Sequence, residues 1–165
     1  MERLSRKVFL GVISSFFCSC LLASEIEQTS SYYSMSLDGE MQTGEKFSTS
    51  ISLEKTVCGK YLSTQRVYGI DRYCPNTLVK DLKIQISNKT VVIPNKAFSD
   101  LADVNLPAGL YMTQHGKEAR LYLLGGDGVA AYTATFFIRD NRVIARSIEE
   151  LSQDGELEKT MVKYK

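Results

Sequence analysis

The chain holds one histidine, His115, and any histidine-based acid–base or nucleophilic chemistry must start from it. Such a base needs a nucleophile on one side and an orienting carboxylate on the other. Ser99, Asp100 and Asp103 are of the right types. No spacing in the sequence brings them to His115, which falls in the turn-like string Gln114-His115-Gly116-Lys117, so an exposed, idle histidine is the expectation. Paired acids are the other common engine of hydrolysis. Glu149 and Glu150 adjoin at the end of a predicted strand, where consecutive side chains leave opposite faces. They are expected to act as separate, solvated charges.

Gly125-Gly126-Asp127-Gly128 would cradle a phosphate if it led from a strand into a helix. Here it joins two predicted strands, so its glycines read as a hairpin turn that needs positive φ. Asp127 is one carboxylate where a calcium loop uses a series, and it remains a candidate contact residue for a ligand or partner. No cofactor or metal is expected. Arg139, Arg142 and Arg146 gather positive charge around one hairpin. Four residues apart on a regular strand, Arg142 and Arg146 share a face and could meet an acidic ligand or partner. Pairing with Glu156 and Glu158 on the next strand is the plainer reading.

The cysteines divide by what happens to the N-terminus. Arg3, Arg6 and Lys7 precede an uncharged run from Val8 to Leu22, about 15 residues, where a membrane-spanning helix needs ~20. Ala23 and Ser24 follow, then Glu25 and Glu27. This is the layout of a cleavable secretory signal over residues 1–23. A cysteine at position 20 after Ser19 leaves lipid anchoring as an alternative, although Phe17 and Cys18 depart from the usual lipoprotein pattern; only that anchor would put the protein on a membrane. Cleavage would remove Arg3, Arg6, Lys7 and Glu2, a net of +2, and turn the formal +1 of the chain into −1. Near neutrality gives no reason to expect nucleic acid as a partner. Cys58 and Cys74 would remain in an oxidising compartment, an even pair best read as a disulfide. It would close a loop of about 15 residues, worth ~3 kcal/mol by loop entropy.

All nine tyrosines follow the predicted signal, and tryptophan is absent. Tyrosine offers rigid contact area with a polar tip. Tyr61, Tyr68 and Tyr73 cluster in the predicted disulfide loop, which is the sequence's best candidate for an interaction surface. Asn88-Lys89-Thr90 fits the N-glycosylation pattern at a predicted hairpin tip, relevant only in a host that glycosylates.

These residues must be positioned by a β-rich frame. Residues 24–45 read as a loosely ordered lead, and 46–165 as a single domain. Phe47, Thr49, Ile51 and Leu53 alternate with serines and describe a half-buried strand. Leu82, Ile84 and Ile86 form one arm of a hairpin turning at Asn88-Lys89 into Thr90 to Ile93. Lys96 to Asp103, capped by Asn95, is the one short helix expected. From Leu110 onward, five alternating runs are joined by turns at 114–117, 125–128, 140–141 and 153–155, which is an antiparallel meander. The fold class is therefore α+β and β-rich, a five-stranded C-terminal meander with an N-terminal hairpin and one short helix. Its two-sided apolar middle strands require cover or curling into a barrel or half-barrel. An exported, non-catalytic binding protein that engages a protein partner, inhibition of a secreted enzyme or toxin included, is the preferred function. A lipid-anchored envelope component and a hydrolase with an unrecognised acid or Ser/His site are the alternatives.

Overall fold

The structure, a computed structural model, describes residues 24–29, 32–57, 66–70, 74–151 and 155–165. The predicted signal with Cys18 and Cys20, the disulfide-loop residues Cys58, Tyr61 and Tyr73, and the turn residues Gln153 and Asp154 lie outside the described residues. Among the described residues ten strands form: β1 (Ser24–Thr29), β2 (Tyr32–Glu40), β3 (Lys46–Lys55), β4 (Thr77–Ile86), β5 (Lys89–Thr90), β6 (Leu110–His115), β7 (Glu118–Gly125), β8 (Tyr132–Arg139), β9 (Arg142–Leu151) and β10 (Leu157–Lys163). They pair into two antiparallel five-stranded sheets, ordered β1-β2-β3-β4-β5 and β10-β9-β8-β7-β6, and not into one closed barrel.

The C-terminal meander follows the alternation that predicts it. Leu121 and Leu123 of β7, Ala134 and Phe136 of β8 and Ile148 of β9 bury completely or nearly so. They share one apolar core with Met35, Leu37, Ile51, Leu82 and Ile84 of the other sheet. Each sheet therefore covers the other's inner face, which gives the two-sided middle strands cover on one side and leaves Phe137 and Ala145 on the other. Two hairpins turn through pairs of residues with positive φ, Ser87-Asn88 and Asp140-Asn141. Such turns match the right-handed twist of the strands they join. The first lies one residue earlier than the expected Asn88-Lys89.

Two expectations are corrected. The lead is not loose, because β1 and β2 occupy most of it and Met35 and Leu37 are 2% exposed. Tyr33, Met35 and Leu37 alternate with Ser34, Ser36 and Asp38, and that short alternation is the strand's signature. The helix over 96–103 does not form, and a 3-10 turn, Asn95–Ala97, stands in its place. Carbonyls of this segment are taken by distant donors. Asp100 O accepts from Tyr68 N, Leu101 O from Val79 N, and Ala97 O from the Arg146 guanidinium. No helix among the described residues is long and apolar enough to cross a membrane.

The segment from Val91 to Asn105 laces the sheets together. Val92 pairs in parallel with Arg142 at the start of β9, Ala102 bridges Leu78 of β4, and Val104 bridges Gly125 of β7. Tyr132 locks the crossing. Its ring lies over Gly125, where an added Cβ would come within 2.6 Å of ring carbon. The absence of a side chain there lets the phenol reach Ala102 O, to which it donates at 2.9 Å. Burial first, then the nearby charges of Asp100 and Asp103, push the Tyr132 phenol well above the usual tyrosine range. The folded state thus holds this proton after the unfolded chain, with its ordinary phenol near 10, has released it. Stability should accordingly be full below about pH 10 and fall as pH rises beyond it. Tyr132→Phe should cost about 1 kcal/mol at neutral pH by stranding the Ala102 carbonyl, and should flatten part of the alkaline decline. Urea unfolding at pH 7, 9.5 and 11 measures both; an unchanged alkaline slope in Tyr132→Phe would contradict the assignment.

Candidate binding surfaces

The chemistry-bearing residues separate rather than converge. His115 is exposed at the end of β6. Asp100, a candidate orienting acid, is held by Arg146. Asp103 is occupied at the start of β4, where its carboxylate accepts from the backbone N–H groups of Asn76 and Thr77, the latter at 2.7 Å. Glu149 and Glu150 engage different partners, Lys159 at 2.5 Å and Arg66. Among the described residues no group of three or more histidine, cysteine, aspartate or glutamate side chains could hold a metal. The glycine string is a strand-to-strand turn, with Gly126 at φ +66° and Gly128 at φ +50°, and Asp127 at its tip is exposed.

Arg142 and Arg146 do not share a face. The β8–β9 register pairs Phe137 with Ala145 but Ile138 with Val143, so Ile144 is an extra residue. One inserted residue reverses the sidedness that four-residue spacing implies. Arg142 stays outside, opposite Arg139, while Arg146 turns inward opposite Phe136 and is 4% exposed. Its expected partners, Glu156 and Glu158, are replaced by Asp100. The guanidinium donates to both carboxylate oxygens of Asp100, one at 2.8 Å, and to Ala97 O at 2.9 Å. Burial works against its charge, and the hydrogen bond and charge of Asp100 outweigh that, leaving its pKa raised. Tyr68 packs into the same cluster, 7% exposed, with Arg66 and Arg146 set 5.0 and 5.7 Å from its ring centre. Tyr68 and Arg146 therefore belong to the interior and leave the interaction surface to which the sequence assigned them.

What faces solvent differs sharply between the two sheets. On the N-terminal sheet the outward positions include Ser34 and Ser36 of β2, Ser48, Ser50 and Ser52 of β3, and Lys83 and Gln85 of β4, with the exposed Tyr32 opposite Glu54 at one end. The short serines floor a shallow open depression of about 300 Å3, walled by Asp38, Lys83 and Gln85. On the C-terminal sheet the outward residues are larger and aromatic. Cross-strand pairing aligns Tyr111, Tyr122, Thr135, Ser147 and Met161 in one row from β6 to β10. The next row is Thr113, Arg120, Phe137, Ala145 and Lys163.

The Tyr111 and Tyr122 rings stack with centroids 4.6 Å apart and planes 9° from parallel, yet Tyr111 remains 41% exposed. Partial burial, then the neighbouring Tyr122, raises the Tyr111 phenol above its ordinary pKa. Arg120 lies over Phe137 at 5.1 Å, held there by Glu118 through a 2.8 Å hydrogen bond. Between Tyr122, Phe137 and Met161 the small Thr135, Ala145 and Ser147 sink to 7%, 9% and 1% exposure. These small residues are closed off from solvent among their larger neighbours, and the buried Ser147 hydroxyl has no hydrogen-bond partner among the described residues. Comparison with protein-family models, with curated proteins and with solved structures found no match.

The Arg146–Asp100 pair makes a stability test. Asp100→Asn should strand a buried guanidinium and cost about 3 kcal/mol, the low end for a buried pair, since Asp100 keeps 26% of its side-chain exposure. The double change Asp100→Leu with Arg146→Met should recover most of that loss. Chemical denaturation of both variants decides it: a double variant no more stable than the single one would show that the pair is not what Arg146 contributes.

Proposed function

We propose that this chain is an exported, non-catalytic binding protein that engages a protein partner through the outer face of its C-terminal sheet. The stacked, half-exposed Tyr111–Tyr122 pair beside the Arg120–Phe137 contact carries the reading. Tyrosine and arginine dominate binding energy at protein interfaces because they bring large contact area, fixed by few rotors, together with hydrogen-bonding tips. Here both are already ordered, the rings against one another and the guanidinium by Glu118, so docking costs little side-chain entropy. Blocking a secreted enzyme or toxin is one activity such a face supports.

Export follows from the predicted signal over 1–23, and with it the Cys58–Cys74 disulfide. The β3–β4 register favours that bond. Glu54 pairs with Leu78, Lys55 with Thr77, and Thr56 N–H donates to Asn76 O at 3.0 Å. The pairing thus runs to within two residues of each cysteine in sequence, and Cys74 Sγ lies 3.9 Å from Thr56 Oγ1. A cross-strand disulfide would close the tyrosine-bearing loop at its base.

Two measurements test the proposal. A photo-crosslinking residue placed at Tyr111 should form an adduct with another protein in the exporting cell's envelope or medium. The same residue at Ser50 on the serine face should not, and Tyr122→Ala should diminish the Tyr111 adduct. Equal labelling from both faces, or none from Tyr111, would remove the basis for the assigned surface. Mass spectrometry of alkylated protein should show two cysteines modified only after reduction, and modification without reduction would exclude the disulfide.

A further inference from the structure

The outer face of the C-terminal sheet is not uniformly charged. At the end where the aromatic row gives way to the β8–β9 turn, Arg120 of β7, Arg139 of β8, Arg142 of β9 and Lys163 of β10 lie on successive strands of one face. Lys117 joins them from the β6–β7 turn, and the carboxylates nearby are Glu118 and the turn residue Asp140. Five cations meet two acids there, whereas the whole chain is formally +1. Arg142 and Lys163 are exposed, and Arg139 keeps 54% of its side-chain area open. Glu118 grips Arg120 through Nε at 2.8 Å and Arg139 through one terminal nitrogen at 3.3 Å. Each guanidinium therefore stands oriented with terminal donors still to offer.

We infer that this quarter of the face docks an acidic polypeptide segment, a reading that rests on the same surface being the contact face. Guanidinium forks match carboxylates two bonds at a time. Adjacent strands lie ~4.8 Å apart, so the cations from β7 to β10 spread over ~15 Å. An extended chain repeats its same-side residues every ~7 Å, which places two or three carboxylates over that span. The Tyr111–Tyr122 stack one row away supplies flat area for the intervening side chains. The denser charge of a phosphate backbone would be set against Glu118 and Asp140, both inside the patch.

The probe is a capped eight-residue peptide alternating Glu with Ala and carrying one Tyr, beside its Gln counterpart, an anionic phosphatidylglycerol vesicle and a duplex DNA. Each is titrated into isotope-labelled protein purified as the expressing cell yields it. The Glu peptide should shift the resonances of Arg120, Phe137, Arg142 and Lys163 and bind about 10-fold more tightly than the Gln peptide. That affinity should fall about 10-fold between 0.05 and 0.5 M salt. Arg142→Glu with Lys163→Glu, both on exposed positions, should reduce it about 10-fold while circular dichroism stays unchanged. Equal binding of Glu and Gln peptides, shifts elsewhere on the molecule, or binding of vesicle or DNA in place of peptide would each overturn the inference. The two readings separate cleanly. A Tyr111 crosslink that survives the double charge reversal leaves the contact face standing and removes the acidic partner. Loss of the crosslink in Tyr122→Ala and in the charge reversal supports both.

Discussion

The buried guanidinium of Arg146 fixes the path of the segment that crosses between two sheets whose inner faces share one apolar core. Each sheet is a meander whose strands pair with their neighbours in sequence, so each can form from local contacts. Joining them is a different matter, because the chain between β5 and β6 has no long element of its own. Arg146 reaches from β9 and takes Ala97 O and both oxygens of Asp100. From that anchor the following residues run as single bridges, Leu101 to Tyr68, Ala102 to Leu78 and Val104 to Gly125. The crossing segment is thus fixed at one end by charge and along its length by backbone hydrogen bonds. Tyr68, Tyr132 and Tyr164 pack around the pair, and Tyr164 shares its ring with Lys96 at 5.6 Å. A charge in this position is costly unless fully partnered, and the geometry that partners it is the geometry that defines the crossing.

The same requirement explains which features the sequence makes legible. Period-two alternation and two-residue turns are local, and they place β6 to β10 within a few residues of where they lie. Asp140-Asn141 is read correctly because positive φ at two consecutive positions suits those residue types. The failures share a non-local cause. Lys96 to Asp103 carries helix-like spacing, yet its carbonyls are claimed by Tyr68, Val79 and Arg146, all from other parts of the chain. The extra residue at Ile144 sends Arg146 inward, and nothing in Arg142 to Ile148 marks a bulge. Tyr68 looks like surface when seen as one of three loop tyrosines, and becomes interior once Arg146 and Tyr132 are known to lie against it. Tyr32 to Glu40 is the exception, since its alternation was present but brief and diluted by serine and glycine.

The outer face of the C-terminal sheet was legible in parts and not as a whole. Tyr111, Tyr122, Arg120 and Phe137 are ordinary strand residues in the sequence, and only register aligns them in adjacent rows. Register is set by hairpin turns and by the demand that Leu121, Leu123, Ala134 and Phe136 face the core. The outer arrangement is therefore a consequence of the inner one. Shifting β8 by one residue would bury Phe137 and expose Phe136, and the Tyr111–Tyr122 row would lose its continuation through Thr135.

A two-sheet frame with one shared core leaves each sheet a single face free, and the two free faces have taken opposite compositions. Serine at five outward positions on β2 and β3 keeps the middle of that surface small, polar and well hydrated, with Tyr32 exposed at its end. The C-terminal sheet exposes rings, a thioether and forked cations, which keep large contact area and little water of their own. Its edge strand β10 is nonetheless interrupted by Glu158, Lys159 and Lys163, charges that oppose strand-on-strand association. The difference between the faces follows from the core: because the shared apolar core and the crossing segment hold the inner faces together, the outer positions are left to differ in composition.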